Sequence, residues 1–171
     1  MTTLKLIVMA GLPGSGKSTL AEGLSRHFSL PLLSVDPIEA AMWRGGLLRD
    51  QTGIAAYEVA QALAAEQLRL NHSVLIDAVN PVESPRAAWR KLAAKYRADL
   101  KIIECICVDQ AIHRRRIDAR IRNIEGMAEI DWARVEQRRA EYEAWTDARL
   151  TLDASAEPAD RLLAEAIRYL A

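Results

Sequence analysis

Cysteine is nearly absent from these 171 residues: only Cys105 and Cys107 occur. They alternate along an apolar run and so share one face of a strand, where core packing is the expected role. Metal binding would need partners that the sequence does not supply nearby. Charge of one sign is missing too. The 23 Lys and Arg balance the 23 Asp and Glu, so no global field draws the chain to nucleic acid or to an anionic membrane, although a local basic groove remains open. No apolar run approaches a membrane span, and the N-terminus lacks a basic-then-apolar leader pattern. The expected setting is the cytoplasm, with no membrane partner. Repeats, low-complexity tracts and long linkers are absent as well, so one domain over residues 1–171 is expected, large enough to bury a core without staples.

What is present is a glycine loop: Gly11, Leu12, Pro13, Gly14, Ser15, Gly16, Lys17, Ser18 and Thr19. It follows the apolar run Leu6-Ile7-Val8-Met9 and leads into a stripe of Leu20, Leu24 and Phe28 at helical spacing. Strand, glycine loop and helix are the context that the phosphate-binding pattern G-x-x-x-x-G-K-[ST] requires. Glycines let successive backbone N–H groups turn inward around phosphate oxygens, and the new helix aims its positive end at the same place. Lys17 is placed to reach the β- and γ-phosphates, and the Ser18 hydroxyl to hold Mg²⁺.

Two buried strands then end in acids. Pro31-Leu32-Leu33-Ser34-Val35 stops at Asp36-Pro37, and Ser73-Val74-Leu75-Ile76 stops at Asp77. Acids at the carboxyl ends of parallel strands face the crevice where open α/β sheets bind ligands. Asp36 also reads as an N-cap, with Pro37 opening the next helix. Asp77 resembles the carboxylate that orients Mg²⁺ or its water near the phosphates. Between them a helix is expected over 53–71, with Val59, Ala60, Leu63 and Leu70 on its inner side. Ser84 and Pro85 read as cap and first position of a helix to about Tyr96, on which Arg86 is expected to be solvated.

After a fourth strand over 100–108 the character changes. Residues 112–122 read as an arginine-rich helix, followed by a tip containing Gly126 and a helix capped by Asp131, with Trp132, Val135, Tyr142 and Trp145 on its apolar side. This is a lid pattern, over about 114–131. Arg116 and Arg120 lie one turn apart, able to reach one site, and His113 is expected at the surface. A fifth strand over 149–153 and a helix opened by Pro158 close the chain. Residues 153–156 are candidates to contact a nucleotide base.

With these features in place the chain resembles the small P-loop kinases of the AAA-like group, among them polynucleotide 5′-hydroxyl kinase domains, zeta toxins and chloramphenicol phosphotransferases. The resemblance rests on Gly11 to Thr19, Ser34-Val35-Asp36, Ile76-Asp77-Ala78-Val79-Asn80, and the Arg116/Arg120 lid with its tryptophan-bearing helix. It implies an α/β three-layer P-loop NTPase: a five-stranded parallel sheet in the order 2-3-1-4-5, helices on both faces and an α-helical lid. It also implies transfer of the γ-phosphoryl group of ATP, with Mg²⁺, to a hydroxyl. Asp36 would accept the hydroxyl proton, Asp77 would tune the metal's water shell, and Arg116 or Arg120 would neutralise charge on the phosphoryl oxygens. The turn after Asp36 reads Ile38-Glu39-Ala40, without the arginine that many relatives use to hold a substrate phosphate. Only Arg44 and Arg49 add positive charge nearby, and no row of aromatics offers stacking. The expected acceptor is therefore a small neutral or polar hydroxyl compound. A polynucleotide or nucleotide kinase, and an ATP-binding regulatory module with incidental hydrolysis, are the alternatives.

Overall fold

In the computed structural model, which describes residues 3–171, the run Lys5–Ala10 forms the central strand β1 and is buried from Leu6 onward. Alternate side chains of a strand point to opposite faces, so an unbroken apolar run suits a sheet covered on both. Four strands join it in parallel: β2 (Leu32–Ser34), β3 (Val74–Asp77), β4 (Asp99–Ile106) and β5 (Leu150–Asp153). Their order is β2-β3-β1-β4-β5, as expected. Register sets Asp77 beside both Met9 and Ser34, so the carboxyl ends of β1, β2 and β3 finish level. The glycine loop, Asp36 and Asp77 consequently emerge along one edge of the sheet.

Helices α1 (Lys17–Phe28) and α7 (Ala159–Leu170) cover one face, packing Leu20, Leu24, Leu162, Ala166 and Leu170 against Ile7, Met9, Leu75, Ile103 and Cys105. On the other face α3 (Arg49–Arg69) and α4 (Glu83–Tyr96) meet Leu6, Val8, Val74 and Ile76. Both cysteines are buried, Cys105 within the first of these cores. No helix among the described residues is long and apolar enough to cross a membrane.

Several local expectations are corrected. The inner side of α3 consists of Thr52, Ala56, Ala60, Ala64 and Leu68, whereas Val59, Leu63 and Leu70 are 38, 45 and 51% exposed. Small residues four apart let the helix lie close on the sheet, and close approach rather than hydrophobic content selects the buried face. Helix α2 (Val35–Arg44) starts at Val35 with Ser34 in the cap position, so Asp36 stands inside the first turn instead of capping it. Likewise Val82 precedes α4, and Ser84 lies within its first turn.

The lid departs further from expectation. Helix α5 (Gln110–Asp118) stops four residues short of Arg122, and residues 119–131 run irregularly to α6 (Trp132–Glu141). The Arg122 amide donates to Glu129 Oε1 at 2.8 Å in place of a helical carbonyl, and Asn123 takes a left-handed conformation (φ 52°) that turns the chain. Asp131 caps α6 as expected, accepting from the Arg134 amide. Tyr142 and Trp145 lie beyond the helix, and the Trp145 ring packs with Ala10 and Ile102.

Candidate active site

The glycine loop is held by contacts that only glycine permits. At Gly11 (φ 133°) a Cβ would stand 2.1 Å from the Cys105 carbonyl oxygen. At Gly14 (φ 79°) it would stand 2.6 Å from Ile117 Cδ1, because α5 packs directly on the loop. Lys17 opens α1 with only 5% of its surface exposed, and no ion pair holds it among the described residues. An ammonium so enclosed and unpaired is poised for an anion.

A cavity of 780 Å³ opens at this point. Gly14, Gly16, Lys17, Ser18 and Thr19 form its floor, Asp36 and Asp77 one wall, and Arg116, Arg120 and Arg122 the lid side. All four residues expected to do chemistry (Lys17, Asp36, Arg116 and Arg120) line this one cavity, together with the metal candidates Ser18 and Asp77. The other loop residues are placed differently. Gly11, Leu12 and Ser15 face a second cavity of 460 Å³ behind the loop, and Pro13 is buried.

Asp77 is 8% exposed, and its Oδ1 is buried without a hydrogen-bond partner. An orphaned carboxylate oxygen on the cavity that Ser18 also lines suits Mg²⁺, which favours one or two protein oxygens with phosphates and water completing its shell. No cluster of three or more His, Cys, Asp or Glu among the described residues offers an all-protein metal cage.

The two lid arginines have different commitments. Arg116 Nη2 donates to the Ala154 carbonyl at 2.7 Å, fastening α5 to the loop after β5. Arg120 lies beyond α5, its Nη1 is buried without a partner, and its nearest carboxylate, Glu129, is 4.0 Å away. Burial first, and then the neighbouring Arg122 charge, push its pKa below the usual arginine range. Arg122, which sequence reasoning did not single out, donates to Asp36 Oδ2 at 2.5 Å and to Glu129 Oε2 at 3.1 Å. The lid tip rests on α2, where Arg44 donates to the Glu125 carbonyl and Gly126 packs against the Arg44 stem.

His113 is not at the surface. It is 1% exposed, its Nε2 lies 2.7 Å from the Pro13 carbonyl, and its Nδ1 lies 3.1 Å from Arg139 Nη2. Arginine can only donate, so Nδ1 accepts, Nε2–H donates to Pro13, and the ring is neutral. Burial is the main force lowering its pKa from 6.5, with the Arg139 and Arg116 charges adding to it. The unfolded chain therefore binds a proton that the folded chain resists. Stability is fully present above about pH 6.5 and falls as pH drops towards the folded pKa, by at most about 1.4 kcal/mol per pH unit from this group. Urea midpoints between pH 7.5 and 5 should show that slope, and His113→Gln should flatten it. An identical slope in the variant would remove His113 as its source.

Arg86, expected to be solvated, is 2% exposed. Its guanidinium donates to the carbonyls of Asn80, Pro81, Glu143 and Ala144 and lies 4.0 Å from the Trp145 ring centroid. Carbonyl dipoles and an aromatic face replace water around the charge. Asn80 is the matching hub: it donates to the Met9 carbonyl at 2.8 Å, accepts from Trp89 Nε1 at 2.9 Å, and its amide reaches the Tyr57 hydroxyl at 3.0 Å. The loop that follows Asp77 is thereby tied to β1, α3, α4 and the chain beyond the lid. In the segment offered for base contact, Asp153 is occupied by the amides of Val108 and Ser155 and by the Ser155 hydroxyl, and of its four residues only Ala154 lies on the cavity wall.

The sheet order, the glycine loop at the β1–α1 junction and the arginine-bearing lid define a P-loop NTPase-like fold of the kinase type. The AAA_33 model, described as an AAA domain, matches residues 6–145, and the chain belongs to that family. Uncharacterised proteins of Mycobacterium tuberculosis and Mycobacterium bovis are 26% identical over 140 residues, 75% of this chain. The chain spans only 28% of the length of these curated relatives. Among solved structures, a presumed kinase from Chloroflexus aurantiacus superposes with a TM-score of 0.78 at 22% identity, over 99% of this chain and all of the other. A gluconokinase from Sinorhizobium meliloti gives 0.71 at 18% identity, over 99% and 93%. The Mycobacterium tuberculosis APS kinase CysC, in complex with AMPPNP and APS, gives 0.69 at 23% identity, over 99% of each chain. At these identities the likeness is one of fold.

Proposed function

We propose that the protein is a kinase that moves the γ-phosphoryl group of ATP to a hydroxyl of a small molecule. The observation that carries this reading is the convergence of Lys17, Ser18, Asp36, Asp77, Arg116 and Arg120 on one cavity. Neighbours in fold named as kinases of small molecules support it. In the proposed step the acceptor oxygen forms a bond to the γ-phosphorus while its proton passes to Asp36. The bond from that phosphorus to the β–γ bridging oxygen breaks, and ADP leaves with the electron pair. Asp36 orients the nucleophile in line, and Lys17 with the loop amides grips the triphosphate. Mg²⁺, held by Ser18 with Asp77 on its water shell, would spread the charge of the phosphates. Arg120 neutralises the transferring group, while Arg116 holds the lid against the nucleotide side of the cavity.

The test is thermal unfolding with Mg-ATP across a panel of polyols, hydroxy acids, aminoglycosides, nucleosides and 5′-hydroxyl oligonucleotides, followed by phosphoryl transfer from radiolabelled ATP to any acceptor that adds to the shift. A ligand bound only by the folded state raises stability with the logarithm of its excess over Kd. The expected result is a shift with ATP that Lys17→Ala removes, and a further shift with a small hydroxyl compound. No shift with any nucleotide would sink the kinase reading. An oligonucleotide response with steep salt dependence would point to a nucleic-acid kinase instead.

A further inference from the structure

Asp36, Ala40 and Arg44 follow one another at four-residue intervals on α2, so they share one face of that helix. The tip of the lid lies along this face. Arg122 Nη1 donates to Asp36 Oδ2 at 2.5 Å, and Arg44 donates to the Glu125 carbonyl. A Cβ on Gly126 would stand 3.7 Å from the Ala40 carbonyl oxygen and 3.1 Å from Arg44 Cγ. Glu129 fixes Arg122 in turn, accepting from its amide at 2.8 Å and from its Nε at 3.1 Å. Among the described residues the Asp36 carboxylate has no other hydrogen-bond partner. Asp36 and Arg122 both line the 780 Å³ cavity, so their bond is made on the wall where an acceptor hydroxyl would meet its base. The phosphoryl-transfer scheme gives Arg122 no part.

A carboxylate oxygen that accepts from a guanidinium has its lone pair engaged, and the seated side chain stands where a nucleophile would approach that oxygen. Resting on the kinase reading above, we infer that Arg122 is a specificity-determining residue that shields Asp36 from water until an acceptor displaces the lid tip. Left unshielded, the same site would hydrolyse ATP. The water oxygen would bond to the γ-phosphorus as its proton passes to Asp36, the bond to the β–γ bridging oxygen would break, and ADP would leave with the electron pair. The shield is built to yield. Residues 119–131 form neither helix nor strand, and the Asp36 side chain is 40% exposed, so the pair exchanges readily with a competing ligand. Seating the tip also leaves Arg120 Nη1 buried without a partner, a cost that a filled cavity relieves. A bound acceptor brings the binding energy of its whole body to this exchange, whereas a single water brings almost none.

The experiment uses the full chain with Mg-ATP and no acceptor, so that water is the only nucleophile. The initial rate of inorganic phosphate release is measured, with Lys17→Ala as the blank for contaminating hydrolysis. Arg122→Ala is expected to raise the rate about three- to fivefold, the factor that a half-exposed ion pair supports. Arg122→Lys, which keeps the charge, should fall between this variant and the parent. Arg44→Met keeps the stem beside Gly126 but loses the bond to Glu125, and it should also raise the rate although Arg44 does not line the cavity. Adding Asp36→Asn to Arg122→Ala should return the rate to that of the parent or below. All these variants should retain the thermal shift with Mg²⁺ and AMP-PNP, which also shows that they fold. The inference is overturned if Arg122→Ala hydrolyses ATP at or below the parent rate; a fall would make Arg122 an aid to the base. It is equally overturned if the double variant stays as fast as Arg122→Ala, or if Arg122→Ala loses the AMP-PNP shift, which would give Arg122 to the nucleotide. If the parent itself shows no AMP-PNP shift, it is the kinase reading that fails, and this inference falls with it.

Discussion

Asp36→Asn is expected to lower phosphoryl transfer by about 10²–10⁴-fold while leaving ATP affinity nearly unchanged. The amide keeps the size of the side chain and can still accept from Arg122, which donates to Asp36 Oδ2 at 2.5 Å. It cannot take a proton from the acceptor hydroxyl, so the loss should appear in kcat and not in nucleotide binding. Single-turnover transfer and equilibrium ATP titration separate the two. Activity within a few-fold of the parent would remove Asp36 as the base and favour a binding module, for which the change is tolerable.

Arg120→Ala carries the other large effect, a fall of about 10³–10⁵ in kcat if it plays the part of a phosphoryl-stabilising arginine. The two lid candidates are distinguished by what already holds them. Arg116 is committed to the Ala154 carbonyl, whereas Arg120 Nη1 is buried and unpartnered on the same cavity. An unsatisfied buried guanidinium nitrogen is costly at rest and is repaid only when charge builds in front of it. Arg116→Ala should instead raise the KM for ATP with a smaller change in kcat, because it loosens the lid from the loop after β5. Steady-state kinetics of both variants provide the check, and the opposite pattern would exchange the two roles.

The parts of this site that were legible in the sequence are those whose chemistry and geometry are local. Gly11 to Thr19 declare themselves because loop, lysine and helix start are contiguous, and Asp36 and Asp77 because each directly follows a buried run. The strand order came from family resemblance, and the structure has it so. What escaped depends on residues far apart in the chain. His113 meets Pro13 across 100 residues, and Arg122 meets Asp36 across 86. Arg86 looked like an ordinary charged helix residue because its partners are backbone carbonyls, which sequence does not display. Arg122 had one visible cue, its place at the end of an arginine-rich run, but the break of α5 at Asp118 is what turns it into the site.

The alanine seam of α3 bears on how freely this chain can vary. Ala56, Ala60 and Ala64 are fully buried where the helix lies on the sheet, while Ile54, Val59, Leu63 and Leu70 on its outer side are exposed. The three plainest side chains act as a shim that sets the height of the helix, and even one added methylene in such a seam strains the packing around it. That height is transmitted outward. Thr52 of α3 donates to Glu39 and accepts from Trp43, both on the helix that carries Asp36, and Tyr57 of α3 receives the Asn80 amide. Drift in this lineage should therefore run against intuition: the bulky residues of α3 are free to change, and the small ones, remote from the cavity, are the positions where a substitution would push Asp36 out of line.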